Sequence, residues 1–144
     1  MAIQRAHHAV YDLKYHLVWI PKYRKSILKG EVAAYVKAVF HQIAEQYEMK
    51  IDVVEVVEDH VHMLIYAPPR YSPSQIVQRM KSISAREVFR KFPQVKKHLW
   101  GDEFRSDGYF VRSVGDEVTT ELIRRYITYH QHQSNKVQLE FVKK

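Results

Sequence analysis

Val56-Val57-Glu58-Asp59-His60-Val61-His62-Met63-Leu64-Ile65-Tyr66 holds two β-branched and apolar runs split by a pair of acidic residues. Such runs are strands, and the short polar break makes them antiparallel neighbours. The first strand is read over Lys50 to Glu58 and the second over Val61 to Ala67, with Pro68-Pro69 ending it. Residues two apart on a strand share a face. His60 and His62 therefore project side by side near one end of the sheet, while Val61 turns into a core. Two imidazoles held together on a rigid strand are half of a metal site. The same pattern also suits a pair of hydrogen-bonded core histidines, so the remainder of the chain has to decide.

Working outward, each flank offers a helix and then a strand. On the N-terminal side, Val32, Tyr35, Val36, Val39, Phe40, Ile43 and Tyr47 recur at spacings of three and four, which predicts a helix from Gly30-Glu31 to about Tyr47. Before it, Val10 to Ile20 reads as one strand stopped by Pro21, and residues 1–9 read as a frayed end. On the C-terminal side, Ser72 is an N-cap with Pro73 at the first helical position. That helix runs to about Arg90 or Lys91, with Ile76, Val77, Met80, Ile83, Val88 and Phe89 toward the sheet. Lys96 to Trp100 is a basic linker, and the segment from Trp100 to Ser113 is a turn followed by a fourth strand. After Gly115-Asp116, a last helix spans about Glu117 to His132, with Leu122, Ile123, Tyr126 and Ile127 on a broad face. Residues 133–144 are read as a flexible tail. The order is βαββαβ plus a C-terminal helix. It predicts an α+β, ferredoxin-like (RRM-like) antiparallel sheet with helices on one face, in a single domain spanning residues 1–144.

Composition narrows the class of function. The 144 residues are 46% hydrophobic with 4 Gly and 5 Pro, enough for one compact core. There is no Cys, which excludes disulfides and thiolate metal sites and fits a cytoplasmic setting. Met1 to His8 is polar and basic, unlike a signal peptide, and no run has the apolar length of a membrane span. The net charge of +7 and pI near 9.5 suit a polyanion. With 10 Tyr, 6 Phe and 2 Trp, the chain also has rings to stack on unpaired bases. Lys22, Tyr23 and Arg24, in the loop leaving the first strand, and Arg79, Lys81 and Arg86, on the second helix, are the candidate DNA contacts.

Tyr126 and His130 stand four apart on the last helix, one turn on nearly the same face. Beside a histidine pair, that combination has a chemical use. A divalent metal at His60, His62 and a third ligand polarises a phosphodiester, and the tyrosine oxygen attacks phosphorus to become the covalent carrier.

With these residues in view, the chain resembles the single-tyrosine HUH transposases of the insertion sequence 200/605 type (TnpA-like). The likeness rests on Tyr15-His16-Leu17-Val18-Trp19-Ile20-Pro21-Lys22-Tyr23-Arg24, His60-Val61-His62, Trp100-Gly101 through Gly108-Tyr109-Phe110-Val111, and Tyr126-Ile127, in that order. It implies an enzyme that recognises subterminal hairpins in single-stranded DNA. Such an enzyme cleaves beside the hairpins and rejoins element ends through a 5′-phosphotyrosine intermediate. It further implies a homodimer with active sites completed in trans, Mg²⁺ or Mn²⁺, and a place at the nucleoid of a bacterial or archaeal cell rather than at a membrane. Carried over, Tyr126 is the nucleophile and His60, His62 and His130 are the metal ligands. The family's third ligand is usually Gln, so His130 is a departure, and Tyr129 with Gln133 offers a rival register of the same spacing. Two other readings stay open: a non-catalytic module that binds single-stranded nucleic acid on the same fold, and a domesticated relative that cuts repeat hairpins.

Overall fold

The computed structural model describes residues 3–21, 30–57, 60–98, 108–115 and 117–130. A hairpin of β1 (Gln4–Ala6) and β2 (Ala9–Tyr11) comes first, followed by β3 (Lys14–Trp19), α1 (Gly30–Gln46), β4 (Lys50–Val57) and β5 (His60–Tyr66). Then come α2 (Pro73–Lys91), a 3-10 turn over Pro93–His98, β6 (Tyr109–Ser113) and α3 (Glu117–His130). The main sheet has the order β4-β5-β3-β6, and every neighbouring pair is antiparallel. That is the ferredoxin-like arrangement, with the two central strands β5 and β3 carrying the most apolar sequence.

Alternation along the strands sorts side chains to two faces. Leu17 and Trp19 of β3, Val54 of β4, and Val61, Met63 and Ile65 of β5 point to one side. There they meet Val36, Val39, Phe40 and Ile43 of α1 and Ile76, Val77 and Met80 of α2 in the main core. Trp19 and Phe40 meet edge to face, with ring centroids 5.6 Å apart. The opposite face is covered by α3. Its Ile123 and Ile127 pack on Leu64 of β5 and Val114 in a second, smaller apolar cluster. The helices thus lie on both faces: α1 and α2 on one, α3 on the other.

Two sequence expectations need correction. Residues 4–9, expected as part of a frayed end, are ordered into a hairpin. Residues 4–11 form the β1–β2 hairpin, and the expected strand over residues 10–20 is divided between β2 and β3. Glu48 ties the hairpin down, accepting from the backbone N–H of His7 at 2.9 Å and from Arg70 at 2.7 Å, while Tyr11 donates to its carbonyl. Those anchors come from 22 and more residues away in sequence, beyond the reach of any local pattern. Leu122, placed on the apolar face of α3, is 60% exposed; the buried stripe is narrower and runs through Ile123 and Ile127. The cap of α2 is as read: Ser72 accepts from the Gln75 backbone, and the Gln75 side chain accepts from the Ser72 backbone, a complete capping box. The segments 58–59, 99–107 and 131–144, which include the acidic turn, Trp100-Gly101 and the tail, lie outside the described residues.

Candidate active site

The α3 face of the sheet carries the candidate residues. In the β3–β5 register Val18 opposes His62 and His16 opposes Leu64, so His16, Val18, His62 and Leu64 share that face, and His60 follows by alternation. The imidazoles of His60 and His62 lie with centroids 6.4 Å apart, and both are buried, 0% and 1% exposed. Across the ladder, the His16 ring stacks at 6.0 Å from His62, with Phe110 of β6 edge-on to it. Burial, aided by the charge of Arg112, pushes His16 down to about 4, so it is neutral at neutral pH.

α3 brings the phenol. Ile123 and Ile127 face the sheet, and Tyr126, beside Ile127, sets its ring 6.1 Å from that of His62. Tyr129, three residues on, is 61% exposed. His60, His62 and Tyr126 are therefore brought together from β5 and α3, Tyr126 standing 64 residues beyond His62 in sequence. His130 ends α3, and its side chain lies outside the described residues, as does Gln133. Among the described residues no group of three or more His, Cys, Asp or Glu side chains is gathered as a metal site. Two imidazole donors on one strand still fit a divalent ion that takes its further ligands from the end of α3 or from the substrate.

The candidate DNA contacts separate. Lys22, Tyr23 and Arg24 lie outside the described residues, but they follow the end of β3, where Trp19 pairs with Val61 beside His60. Lys81 donates to the Gly108 carbonyl at 3.3 Å, just before β6 begins at that same end of the sheet. Arg86 is exposed on α2 beside Glu87. Arg79 is elsewhere: its guanidinium lies 4.5 Å from the Tyr47 ring and 5.2 Å from that of Tyr71. Those rings adjoin the start of β4 and the end of β5, roughly 20 Å along the strand from His60. Arg79 does not converge with the histidines.

A matching family model supplies the relationship. The model described as Transposase IS200 like aligns with residues 9–130, which include both histidines and Tyr126. The chain belongs to the IS200-like transposases. It is 38% identical over 118 residues to the ISDra2 transposase TnpA of Deinococcus radiodurans, covering 82% of this chain and 84% of that one. It is 32% identical over 130 residues to the transposase for insertion sequence element IS200 of Salmonella typhimurium, covering 90% and 84%. A crystal structure of a Deinococcus radiodurans R1 protein described as a transposase superposes with a TM-score of 0.62 at 34% identity, covering 91% of this chain and 99% of that chain.

In this IS200-like transposase, sequence reasoning passed over His16, quoted as part of a motif but given no role. Its position is explained by the β3–β5 pairing, which puts it one ladder step from His62. A lone histidine in an apolar strand signals nothing until the partner strand and its register are known.

Proposed function

We propose that this transposase cleaves and rejoins single-stranded DNA at insertion-sequence ends, with Tyr126 as nucleophile. The observation that carries the reading is the meeting of Tyr126 with His62 of the His-x-His pair on the buried α3 face. The Tyr126 oxygen attacks phosphorus. A Tyr–O–P bond forms and the P–O3′ bond breaks; the phenol loses its proton, and the leaving oxygen gains one to become a free 3′-hydroxyl. The phosphotyrosine keeps the bond energy, so a second 3′-hydroxyl can reverse the step and join strands. His60, His62 and His130 are the residues that would hold Mg²⁺ or Mn²⁺. When bound, that ion supplies Lewis-acid polarisation of the phosphodiester. An all-imidazole set favours Mn²⁺ over Mg²⁺.

The basic loop Lys22, Tyr23, Arg24 and the α2 residues Lys81 and Arg86 are the proposed phosphate and base contacts, and subterminal hairpins are the proposed recognition elements. A homodimer is proposed as the working unit. β6, an edge of the main sheet among the described residues, supports this with exposed Tyr109 and Val111. No described helix is long and apolar enough to cross a membrane, and the proposed DNA substrate puts the work in the cytoplasm, at the nucleoid.

The binding-module alternative needs an open sheet on which bases stack. Here α3 covers the face opposite α1 and α2, so that face is no open platform for bases. The test is a denaturing gel after incubation with labelled single-stranded stem-loop oligonucleotides and Mn²⁺. A covalent protein–DNA band is expected; its absence from DNA that the protein binds would return the reading to a binder.

A further inference from the structure

Among the described residues, α3 meets the sheet through a small apolar cluster. Its buried stripe, Ile123 and Ile127, meets Leu64 and Val114, a small cluster beside the main core. The polar attachment is more specific. Arg124 lays its guanidinium in a fork on Asp52 of β4, Nε to Oδ1 at 2.9 Å and Nη2 to Oδ2 at 2.7 Å. Lys14 of β3, 3% exposed, reaches the same carboxylate at 3.3 Å and Thr120 Oγ1 of α3 at 3.4 Å, its ammonium 4.2 Å from the Tyr66 ring centroid. Glu121 braces Arg124 from within α3.

Asp52 is on this face because the strand is irregular there. Ile51 pairs with Ile65 and Val53 with Leu64, so Asp52 is the extra residue of a β-bulge. Regular alternation would send Asp52 to the main core, where Val54 points. The bulge turns Asp52 and Val53 to the α3 side together; Val53 packs in the small cluster and Asp52 receives Arg124. Arg124 is two residues from Tyr126.

We propose that the Arg124–Asp52 ion pair, backed by Lys14, is a positioning device for Tyr126: it fixes where α3 sits on the sheet and so where the phenol meets His62. A fork between planar groups sets distance and angle together, which apolar contact alone does not. Asp52 and His62 stand on the same sheet, so the device acts whichever chain of a dimer supplies α3. The inference rests on the proposed role of Tyr126, and its test has an arm that does not.

That arm is amide hydrogen exchange on the full-length protein. A helix of 14 residues is marginal in water once undocked, so a looser α3 exchanges faster. Asp52→Asn and Arg124→Gln are expected to speed exchange in α3 at least tenfold with α1 and β5 unchanged, and Arg124→Lys to recover part of the protection. The second arm is single-turnover adduct formation with a library of single-stranded stem-loop oligonucleotides and Mn²⁺. The rate at saturating DNA should fall tenfold or more in Asp52→Asn, with the half-saturating concentration not raised. Arg124→Lys should be faster than Arg124→Gln. Unchanged exchange in α3, a uniform rise across all elements, or an unchanged or faster saturating rate would each overturn the proposal. If the unaltered protein forms no adduct, the proposed function fails, and exchange alone then decides whether Arg124–Asp52 positions α3.

Discussion

Tyr126 and Tyr129 lie three apart on α3 and differ in what surrounds them: one ring is set against His62, the other is 61% exposed. Removing only a hydroxyl separates them chemically. Tyr126→Phe keeps the ring packed and should bind DNA yet form no covalent adduct. Tyr129→Phe should form adduct at close to the unaltered rate; the opposite pattern on a denaturing gel would move the nucleophile to Tyr129 and its ligand partner to Gln133. For the histidines, Ala at position 60 or 62 should lower cleavage by at least a hundredfold while hairpin affinity stays within a few-fold, since losing a group that only hydrogen-bonds a metal's ligand already costs about 10- to 100-fold. Calorimetry showing normal Mn²⁺ affinity in these variants would remove their ligand role. His130→Gln should keep cleavage and shift the metal preference toward Mg²⁺; a folded but inactive variant would show that the third ligand lies elsewhere. The facing of the pair on β5 and of Tyr126 was legible because each sits in a periodic element whose facing follows from spacing. His16 was not, because its facing matters only through a cross-strand register.

The elements were legible for the same reason and failed where that reason lapses. α1, β4, β5 and α2 follow from hydrophobic period and caps, all local signals. Ser72→Ala removes an acceptor from the α2 capping box and should cost about 1 kcal/mol in denaturant unfolding, with α3 unaffected. The β1–β2 hairpin and the α3 latch depend on Glu48 and Asp52 receiving partners from far along the chain, so pattern could not reveal them. Asp52 also gives α3 a pH dependence of known sign. Burial pushes its carboxyl up, but the bonds and charge of Arg124, and then of Lys14, outweigh that and hold it below the ordinary value. A carboxyl depressed in the folded state contributes stability that is complete above the unfolded value of about 3.9 and is lost as pH falls through the folded one. Protection of α3 amides, corrected for intrinsic exchange, should therefore be flat from pH 7 to 5 and fall below about pH 4. In Asp52→Asn this acid step should vanish; its persistence would assign the titration to another group.

At the scale of the whole molecule, the proposed reaction asks the same sheet face to hold α3 and admit DNA. His60 and His62 are 0% and 1% exposed beneath the docked α3, so on the proposed reading DNA has to enter past this helix. In the proposed dimer, Gly115, exposed just before α3, is where the chain would turn to send the helix to a partner. The charge argument predicts a steep salt dependence. Neutralising Lys22, Arg24, Lys81 or Arg86 should each flatten the log–log slope by about 0.7 to 0.9, whereas Arg79→Gln, with its cation held over Tyr47 and Tyr71, should leave it unchanged. The trans site is tested by mixing lesions. In a heterodimer of Tyr126→Phe with His60→Ala, a trans arrangement places both lesions in one site and leaves the other with an intact tyrosine and intact histidines. A cis arrangement gives each site one lesion. Recovered cleavage in the mixture, up to about half per heterodimer, is the expected result if α3 is exchanged for catalysis. A mixture that stays inactive, with heterodimers verified by differential tagging, would mean that Tyr126 works on its own sheet and that α3 admits DNA by opening rather than by crossing over.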